Sequence, residues 1–374
     1  MKKTILMLLV LLMLTSLLVG CGGEEEVTTE EGLKVGIVLS SGGKGDMSFN
    51  DSALRGLERA KEDGLIADFQ YMEPRETAEA ERNLRFLASN NFDLVIGVGF
   101  MQEDDIALVS SEFPETKFAI IDAVVENDNV ASLVFAEHEG SFLAGAFAAL
   151  MTTRNELDGI KEDTVVGFLG GMDMPLIRKF ELGYTSGVDY INEVKGTDVS
   201  YRVAYAGSSP AAFNDPATGQ EIALSQYDAG ADIIYHASGG TGGGLFRAAQ
   251  SRGLYAIGVD SDQDWVASGN VLTSMQKRVD NSVYDTVLAI TEDRFEAGIQ
   301  VYGLESAGVA LSPLDRVGVT VEEAYEMGNI SEEDLARVKD MKEMIPQDII
   351  DEIEEIREKI ISGDIVVPDY MSQN

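Results

Sequence analysis

The residues best suited to bind a small molecule lie in glycine-containing loops that follow short apolar segments. The first loop, residues 40–51, reads SSGGKGDMSFND and places Phe49 directly ahead of a predicted helix. Glycine lets the backbone take positive φ angles and approach a ligand closely. The loop has neither the Gly-Lys-Ser/Thr of a phosphate-binding loop nor the glycine spacing of a dinucleotide site. Phe49 therefore packs either on a ligand or as a hydrophobic staple in a tight strand-to-helix turn.

Two later loops are also candidates for ligand binding. One contains an aromatic residue, and the other is rich in glycine and follows an apolar run. Phe213 lies within residues 207–216, where Asn-Asp-Pro marks a turn and the start of a helix. The run from Ser238 to Gly244 includes Gly239 and Gly240. Loop packing for Phe213 and a flexible turn for the glycines are the alternatives to ligand binding.

Asp260 is the acidic residue best placed to bind a ligand. It follows an apolar run that begins at Tyr255, and a carboxylate at a strand end accepts hydrogen bonds from ligand hydroxyls. The residues from Asp260 begin like a calcium loop, but Trp265 stands where glycine is needed and Val271 where glutamate is needed. We therefore expect no calcium here, and an acidic solvated loop is the alternative.

Few residues are candidates for catalysis. His138 and His236 are the only histidines, and neither belongs to a metal-binding or nucleophile motif. Lys277 follows another apolar run and sits among acidic residues, where a surface salt bridge is the simplest interpretation. No pair of carboxylates stands out for general acid–base chemistry. The sequence favours a binding protein over an enzyme and predicts no metal or cofactor.

The elements that would position these loops alternate along the chain. Apolar runs such as Leu33–Leu39, Leu94–Val98 and Lys117–Ile121 have the length of strands, and helical patterns separate them. The alternation resumes at Thr164 and continues to Val259. Continuous apolar strands between helices predict parallel sheets covered on both faces. We therefore predict two doubly wound α/β lobes with binding loops at the carboxyl ends of the strands.

The N-terminus has the pattern of a bacterial lipoprotein signal peptide. Lys2 and Lys3 precede an apolar run from Ile5 to Val19, and Gly20 stands before Cys21, the only cysteine. Cleavage before Cys21 would leave its thiol to carry lipid and tether the protein to the outer face of the cell membrane. The apolar run is shorter than the roughly 20 residues of a spanning helix. An uncleaved anchor with an incidental cysteine is the alternative.

The predicted regions follow from these patterns. We assign residues 1–20 to the signal peptide, 21–32 to a flexible tether, 33–137 with about 268–305 to an N-terminal lobe, 138–267 with about 306–330 to a C-terminal lobe, and 331–374 to a C-terminal helical brace. The return to the first lobe near residue 268 rests on the need for more than one crossover in a hinged cleft. Ser331 is the predicted N-cap of the first brace helix, and residues 348–361 form an amphipathic helix.

The chain is strongly acidic and long enough for two domains. Its 374 residues carry a formal net charge of −37, and 45% of them are hydrophobic. The hydrophobic content supports folded cores. The charge argues against nucleic acid or anionic lipid as a partner.

Taken together, the loops resemble the BMP (basic membrane protein) family, the substrate-binding lipoproteins of ABC transporters typified by purine nucleoside receptors. The most specific similarity is Gly42-Gly43 followed by residues 46–51, which read DMSFND. Residues 213–216, 258–260, 275–280 and 363–368 add to the resemblance, which covers about residues 34–368. It implies a type I periplasmic-binding-protein fold, with two doubly wound parallel-sheet lobes joined by a hinge.

The resemblance also implies roles for particular side chains. Phe49 and Phe213, one from each lobe, would sandwich a nucleobase that Asn50 also contacts, while Asp260 and Lys277 would hold the ribose hydroxyls. The other implied ligand-binding residues are Ser40, Asp46, Asp122, Gly239 and Gly240. Some nucleoside receptors carry a base-contacting aspartate at the position of Ser40, so the base preference stays open.

We therefore expect a lipid-anchored, monomeric substrate-binding protein that captures a nucleoside, in particular a purine nucleoside, and delivers it to an ABC permease. Three alternatives remain at this point. The ligand is a sugar or another aromatic metabolite, the protein is a surface nucleoside-processing enzyme, or it is a ligand sensor for a membrane kinase.

Overall fold

The computed structural model describes residues 32–75, 77–154, 156–161 and 163–373. The predicted signal peptide, Cys21 and residues 22–31 of the predicted tether lie outside the described residues. Among the helices within those ranges, none combines the length and the apolar character that crossing a membrane requires.

The first sheet contains β1 (Leu33–Val38), β2 (Ile66–Met72), β3 (Leu94–Val98), β4 (Lys117–Ile121), β5 (Val130–Phe135) and β11 (Gly298–Tyr302). Its strand order is β11-β5-β4-β3-β1-β2, and every neighbouring pair is parallel. Helices α2 (Ala80–Ser89) and α3 (Glu103–Glu112) pack on one face of the sheet. Helices α1 (Phe49–Glu62) and α8 (Val279–Thr291) pack on the other. This unit is the first lobe.

The second sheet contains β6 (Val165–Met172), β7 (Ser200–Gly207), β8 (Ala231–Ala237), β9 (Tyr255–Asp260), β10 (Val271–Lys277) and β12 (Val309–Leu311). Its order is β12-β10-β9-β8-β6-β7, and only β12 runs antiparallel to its neighbour. Helices α4 (Glu137–Thr152) and α5 (Pro175–Lys195) pack on one face. Helices α6 (Pro216–Asp228) and α7 (Gly242–Arg252) pack on the other. This unit is the second lobe.

The predicted fold class is confirmed, and the chain passes between the sheets three times, after β5, after β10 and after β11. The assignment of residues 268–305 to the first lobe is wrong for β10, because this strand pairs with β9 in the second sheet. The return begins only with α8, which packs against α1. Apolar periodicity predicts a buried strand but does not say which of two sheets the strand joins.

Close contact between α4 and α5 depends on glycines. A Cβ at Gly145 would lie 1.9 Å from the carbonyl oxygen of Tyr184, and one at Gly187 would lie 2.1 Å from that of Phe142. Almost every residue of α4 is buried. The helix that makes the first crossover is therefore a packed core element of the protein.

The C-terminal helices α9 (Val319–Glu326), α10 (Glu332–Glu343) and α11 (Gln347–Ser362) follow β12. The predicted N-cap is confirmed, since the Ser331 hydroxyl accepts from the Asp334 N–H at 3.1 Å and the Asp334 carboxylate accepts from the Ser331 N–H. Helix α11 buries Ile349, Ile353 and Ile356 in the core that it shares with α4.

Candidate functional site

A cleft lies between the carboxyl ends of the strands in the two lobes, where open α/β sheets bind their ligands. It contains about 680 Å³ of space free of protein atoms, part of it open to solvent. The residues that line the cleft include every candidate from the sequence: Ser40, Asp46, Phe49, Asn50, Asp122, Phe213, Gly239, Gly240, Asp260 and Lys277.

Asp46 and Asn50 organise the loop between β1 and α1. The Asp46 carboxylate accepts from the backbone N–H groups of Ser48 at 3.0 Å and Asn50 at 2.9 Å, which satisfies donors at the start of α1. Burial raises the pKa of Asp46, and these backbone bonds oppose that effect. The Asn50 Oδ1 accepts from the Ser40 N–H at 2.8 Å, and its Nδ2 donates to Asp46 at 2.9 Å. Both ends of the Asn50 amide are therefore bonded to the protein itself.

Two phenylalanines from opposite lobes border the cleft. Phe49 is the first residue of α1, and its ring lies beside Gly99, where a Cβ would make an ordinary contact with it at 3.5 Å. Phe213 covers the backbone of β6, where a Cβ at Gly171 would lie 2.4 Å from the ring. A glycine at residue 171 is therefore needed for the Phe213 ring to take its place.

A buried cluster of charges lies at one end of the cleft. The Lys277 ammonium contacts the Asp122 carboxylate at 2.5 Å and Glu137 at 3.0 Å, and Lys179 contacts Glu137 at 2.6 Å. Burial disfavours the charge of Lys277, but the carboxylates of Asp122, Glu137 and Asp260 outweigh it and raise the pKa of this lysine. Lys277 is only 1% exposed, so the surface salt bridge considered for it is wrong.

The same ammonium is surrounded by aromatic rings. Its Nζ lies 5.2 Å from the ring centroid of Phe49, 4.9 Å from that of Phe135 and 5.6 Å from that of Phe180. A cation within about 6 Å of a ring is attracted by its negative face. Lys277 therefore lies between the aromatic side chains that line the cleft, Phe49 and Phe180, and the buried carboxylates.

Asp260 ends β9 with a backbone φ angle of 63°, which residues other than glycine rarely adopt. Its Oδ2 accepts a hydrogen bond from the Ser48 hydroxyl at 2.7 Å. Burial raises the pKa of Asp260 to about 6, although Lys277 and the Ser48 bond favour the ionised form. A carboxylate in this setting is ionised at neutral pH and is a strong acceptor for a ligand hydroxyl.

Several cleft residues were not predicted from the sequence. Leu176, Ile177 and Phe180 come from the first turns of α5, and Phe100 and Met101 come from the loop after β3. Glu137, which supports Lys277, was also missed. Its signal was an acidic residue at the start of an otherwise apolar helix, where a buried charge requires a partner.

His236 lies buried within the second lobe and does not line the cleft. Its Nδ1 lies 3.2 Å from the Ser238 hydroxyl and its Nε2 lies 3.1 Å from Gln263 Oε1. Burial lowers the pKa of His236 to about 4. In the part of the chain that the structure describes, no group of three or more His, Cys, Asp or Glu side chains is arranged to hold a metal ion.

Two six-stranded α/β lobes, three crossovers and a lined cleft between the strand ends are the architecture of the two-lobed solute-binding proteins. The model of the Bmp family, described as ABC transporter substrate-binding protein PnrA-like, matches residues 33–370. The chain belongs to this family and is an ABC transporter substrate-binding protein.

Relatives of similar length support this assignment. An uncharacterized lipoprotein of Pyrococcus abyssi is 35% identical over 366 residues, which cover 94% of this chain and 88% of the relative. The ABC transporter nucleoside-binding protein BmpA of Lactococcus lactis is 30% identical over 351 residues, covering 86% of this chain and 94% of the relative. These relatives are named as lipoproteins or binding proteins, not as enzymes.

Solved structures agree with the fold. An ABC transporter solute-binding protein of Aeropyrum pernix K1 superposes with a TM-score of 0.80 at 34% identity, covering 91% of this chain and 96% of that protein. A second solute-binding protein, from Conexibacter woesei, has a TM-score of 0.66 at 24% identity and covers 90% of this chain and 99% of that protein. The fold of this chain is therefore that of the two-lobed solute-binding proteins.

Proposed function

We propose that this protein binds a purine nucleoside in its cleft and delivers it to an ABC permease, while lipid on Cys21 holds it at the outer face of the membrane. The observation that carries the proposal is the combination of two aromatic side chains, Phe49 and Phe213, with the buried carboxylate of Asp260 in one cleft. A nucleoside has a flat ring at one end and vicinal hydroxyls at the other.

The aromatic residues suit the base. Phe49 comes from the first lobe and Phe213 from the second, so a ring between them would contact both lobes at once. Stacked aromatic pairs contribute on the order of 0.5–1.5 kcal/mol beyond their buried area. A ligand that touches both lobes binds the closed form better than the open form, and this difference is what shifts a conformational equilibrium.

The polar residues suit the ribose. Asp260 has one carboxylate oxygen bonded to Ser48, which leaves the other for a ligand hydroxyl. Lys277 is held beside it by Asp122 and Glu137. A buried polar site rejects ligands that lack the matching hydroxyls, because its own groups would then lose their partners.

The remaining parts of the proposal rest on the family and on the N-terminal sequence. An ABC substrate-binding protein requires a permease as its partner, and the L. lactis relative is named as nucleoside-binding. The signal-peptide pattern that ends at Cys21 supports a lipid anchor.

Calorimetric titration of the chain from residue 22 to 374 tests the ligand. The protein is unfolded and refolded to remove any bound molecule, then titrated with guanosine, inosine, adenosine, cytidine and ribose. Saturable binding of a purine nucleoside supports the proposal. Absence of binding to every nucleoside contradicts it.

A sugar or another aromatic metabolite is the second candidate ligand. It is favoured by Asn50, whose amide already bonds to Ser40 and Asp46 and thus has no free end for a base. Tight sugar binding without nucleoside binding would identify this alternative.

Recovery of the intact nucleoside from the complex, with no free base released, would count against a nucleoside-processing enzyme.

A further inference from the structure

Ser48 bonds directly to the other lobe beneath the cleft. The residue is fully buried in the loop ahead of α1, and its hydroxyl donates to Asp260 Oδ2 at 2.7 Å. Its backbone carbonyl accepts from the Ser261 hydroxyl at 2.9 Å. Ser48 belongs to the first lobe, whereas Asp260 and Ser261 belong to the second, so both bonds cross the lobe boundary.

We propose that Ser48 is a positioning residue: its hydroxyl reaches from the first lobe, in a contact already made without ligand, and holds one oxygen of Asp260 for ligand binding. The proposal rests on the proposed function, in which Asp260 binds the ligand. Ser48 itself needs no contact with the ligand to act in this way.

The hydrogen bonds of Asp260 support different roles for its two carboxylate oxygens: Oδ2 binds Ser48, and the other oxygen is left for the ligand. A serine hydroxyl has a single hydrogen to donate, and here Asp260 Oδ2 receives it. The bond fixes the rotation of the carboxylate, so the free oxygen keeps one direction. A side chain already held in its bound orientation loses less entropy when the ligand arrives.

Neighbouring hydrogen bonds hold the two lobes in the relative position that the Ser48–Asp260 contact needs. Arg55 in α1 donates to the Ser261 hydroxyl at 2.8 Å, and Gln263 donates to the Met47 carbonyl at 3.0 Å. These contacts join α1 and the loop before it to the loop after β9. Separation of the two loops by even a few ångströms would break the bond between Ser48 and Asp260, because hydrogen bonds of this kind require about 2.5–3.0 Å.

The pKa of Asp260 is a quantity that distinguishes the proposed role of Ser48 from a purely structural one. Several charged groups around Asp260 contribute to this pKa. Lys277 favours the ionised carboxylate, whereas Asp122 and Asp46 disfavour it. The Ser48 bond is a further contribution that lowers the pKa of Asp260. Removal of the hydroxyl should therefore raise this pKa above its value of about 6.

The test compares Ser48→Ala with the wild type in two measurements. Carboxyl 13C NMR of the ligand-free protein follows the titration of Asp260, identified by its loss in Asp260→Asn. Calorimetry follows guanosine affinity at pH 7. We expect a higher Asp260 midpoint and roughly tenfold or greater loss of affinity, the usual range for a hydrogen bond to a charged group.

Three variants serve as controls. Ser52→Ala removes another fully buried hydroxyl in α1, one that accepts from the Asp280 N–H and does not bond to Asp260, so it should leave the Asp260 midpoint unchanged. Ser48→Thr keeps the hydroxyl and should restore the midpoint. In the Asp260→Asn background, Ser48→Ala should cost clearly less affinity than in the wild type.

An unchanged Asp260 midpoint in Ser48→Ala overturns the proposal, and so does an unchanged affinity when the wild type binds guanosine. Equal losses of affinity in the wild-type and Asp260→Asn backgrounds also overturn it. If the wild type binds no nucleoside, the proposed function fails, while the NMR titration still decides whether Ser48 controls Asp260.

Discussion

Asp122 and Asp260 occupy equivalent places in the two lobes. Each stands at the carboxyl end of the third strand in its sheet order, β4 and β9, and the two residues have φ angles of 70° and 63°. Both line the cleft, yet their partners differ. Asp122 is paired with the Lys277 ammonium, whereas Asp260 accepts only the Ser48 hydroxyl among the described side chains within hydrogen-bond distance. The same backbone position therefore supports an ion pair in one lobe and an available acceptor in the other.

The first prediction separates these two carboxylates. Asp122→Asn should lower the free energy of unfolding by about 3–5 kcal/mol, because breaking one side of a buried ion pair leaves a charge poorly compensated. Asp260→Asn should lower it clearly less at pH 7, because the Asp260 carboxylate accepts from a neutral hydroxyl and not from an ammonium. Urea unfolding of both variants measures the difference. Equal destabilisation by the two substitutions would contradict the division of roles.

The second prediction concerns pH. The pKa of Asp260 is about 6, so the ionised acceptor predominates at pH 7 and is lost as the pH falls through that value. Nucleoside affinity should be nearly constant between pH 7 and 8 and should fall roughly tenfold per pH unit well below pH 6, as the competent fraction falls. Lys277, whose pKa is raised, stays charged throughout. Calorimetry from pH 4.5 to 8 provides the test, and an affinity that stays flat to pH 5 would be inconsistent with the role of Asp260.

The third prediction concerns the aromatic walls. Phe49→Ala and Phe213→Ala should each weaken nucleoside binding, and Phe49→Leu should retain less binding than Phe49→Tyr because leucine lacks a ring face. Ribose, which has no base, should respond little to Phe213→Ala. Phe86→Ala offers a matched control, since this phenylalanine is 46% exposed and lies outside the cleft lining. Normal nucleoside affinity in both alanine variants would remove the basis for stacking.

The sequence predicted the central strands well because they are buried on both faces. Leu94–Val98 and Lys117–Ile121 coincide with β3 and β4 to the residue. The edge strands β2 and β11 were missed for the opposite reason. In β11, Ile299 and Val301 are 59% and 65% exposed, and Gln300 stands between them, so this strand has no continuous apolar run.

The cleft residues could be predicted where a loop motif follows a strand, as for Phe49 and Asp260. The buried ion pairs that position the cleft residues could not be predicted, because they join residues that are distant along the chain. Glu137 reaches Lys277 and Lys179 across 140 and 42 positions, and it does so because α4 packs both on α5 and beside the end of β10. Local patterns contain no information on such pairings.

The last prediction concerns Asp262, a buried acid two residues beyond Asp260. Burial and the neighbouring Asp264 raise its pKa to about 8, and its Oδ2 has no hydrogen-bond partner among the described residues. The unfolded chain loses this proton near pH 4, so between about pH 4 and 8 the folded state binds more protons, and the stability conferred by protonation falls as the pH rises. Relative to the wild type at the same pH, Asp262→Asn should therefore raise the free energy of unfolding slightly at pH 5 and clearly more at pH 9.

Asp264 provides the matched contrast to that variant. Its carboxylate accepts from Lys342 at 2.6 Å, from Ser274 at 2.7 Å and from Ser312 at 2.8 Å. Asp264→Asn should therefore destabilise the protein at both pH values, because it removes the charge that compensates the buried Lys342 ammonium. Urea unfolding at pH 5 and pH 9 compares the two variants. If Asp262→Asn is as destabilising at pH 9 as Asp264→Asn, the Asp262 side chain is a required ionised partner and not a buried neutral acid.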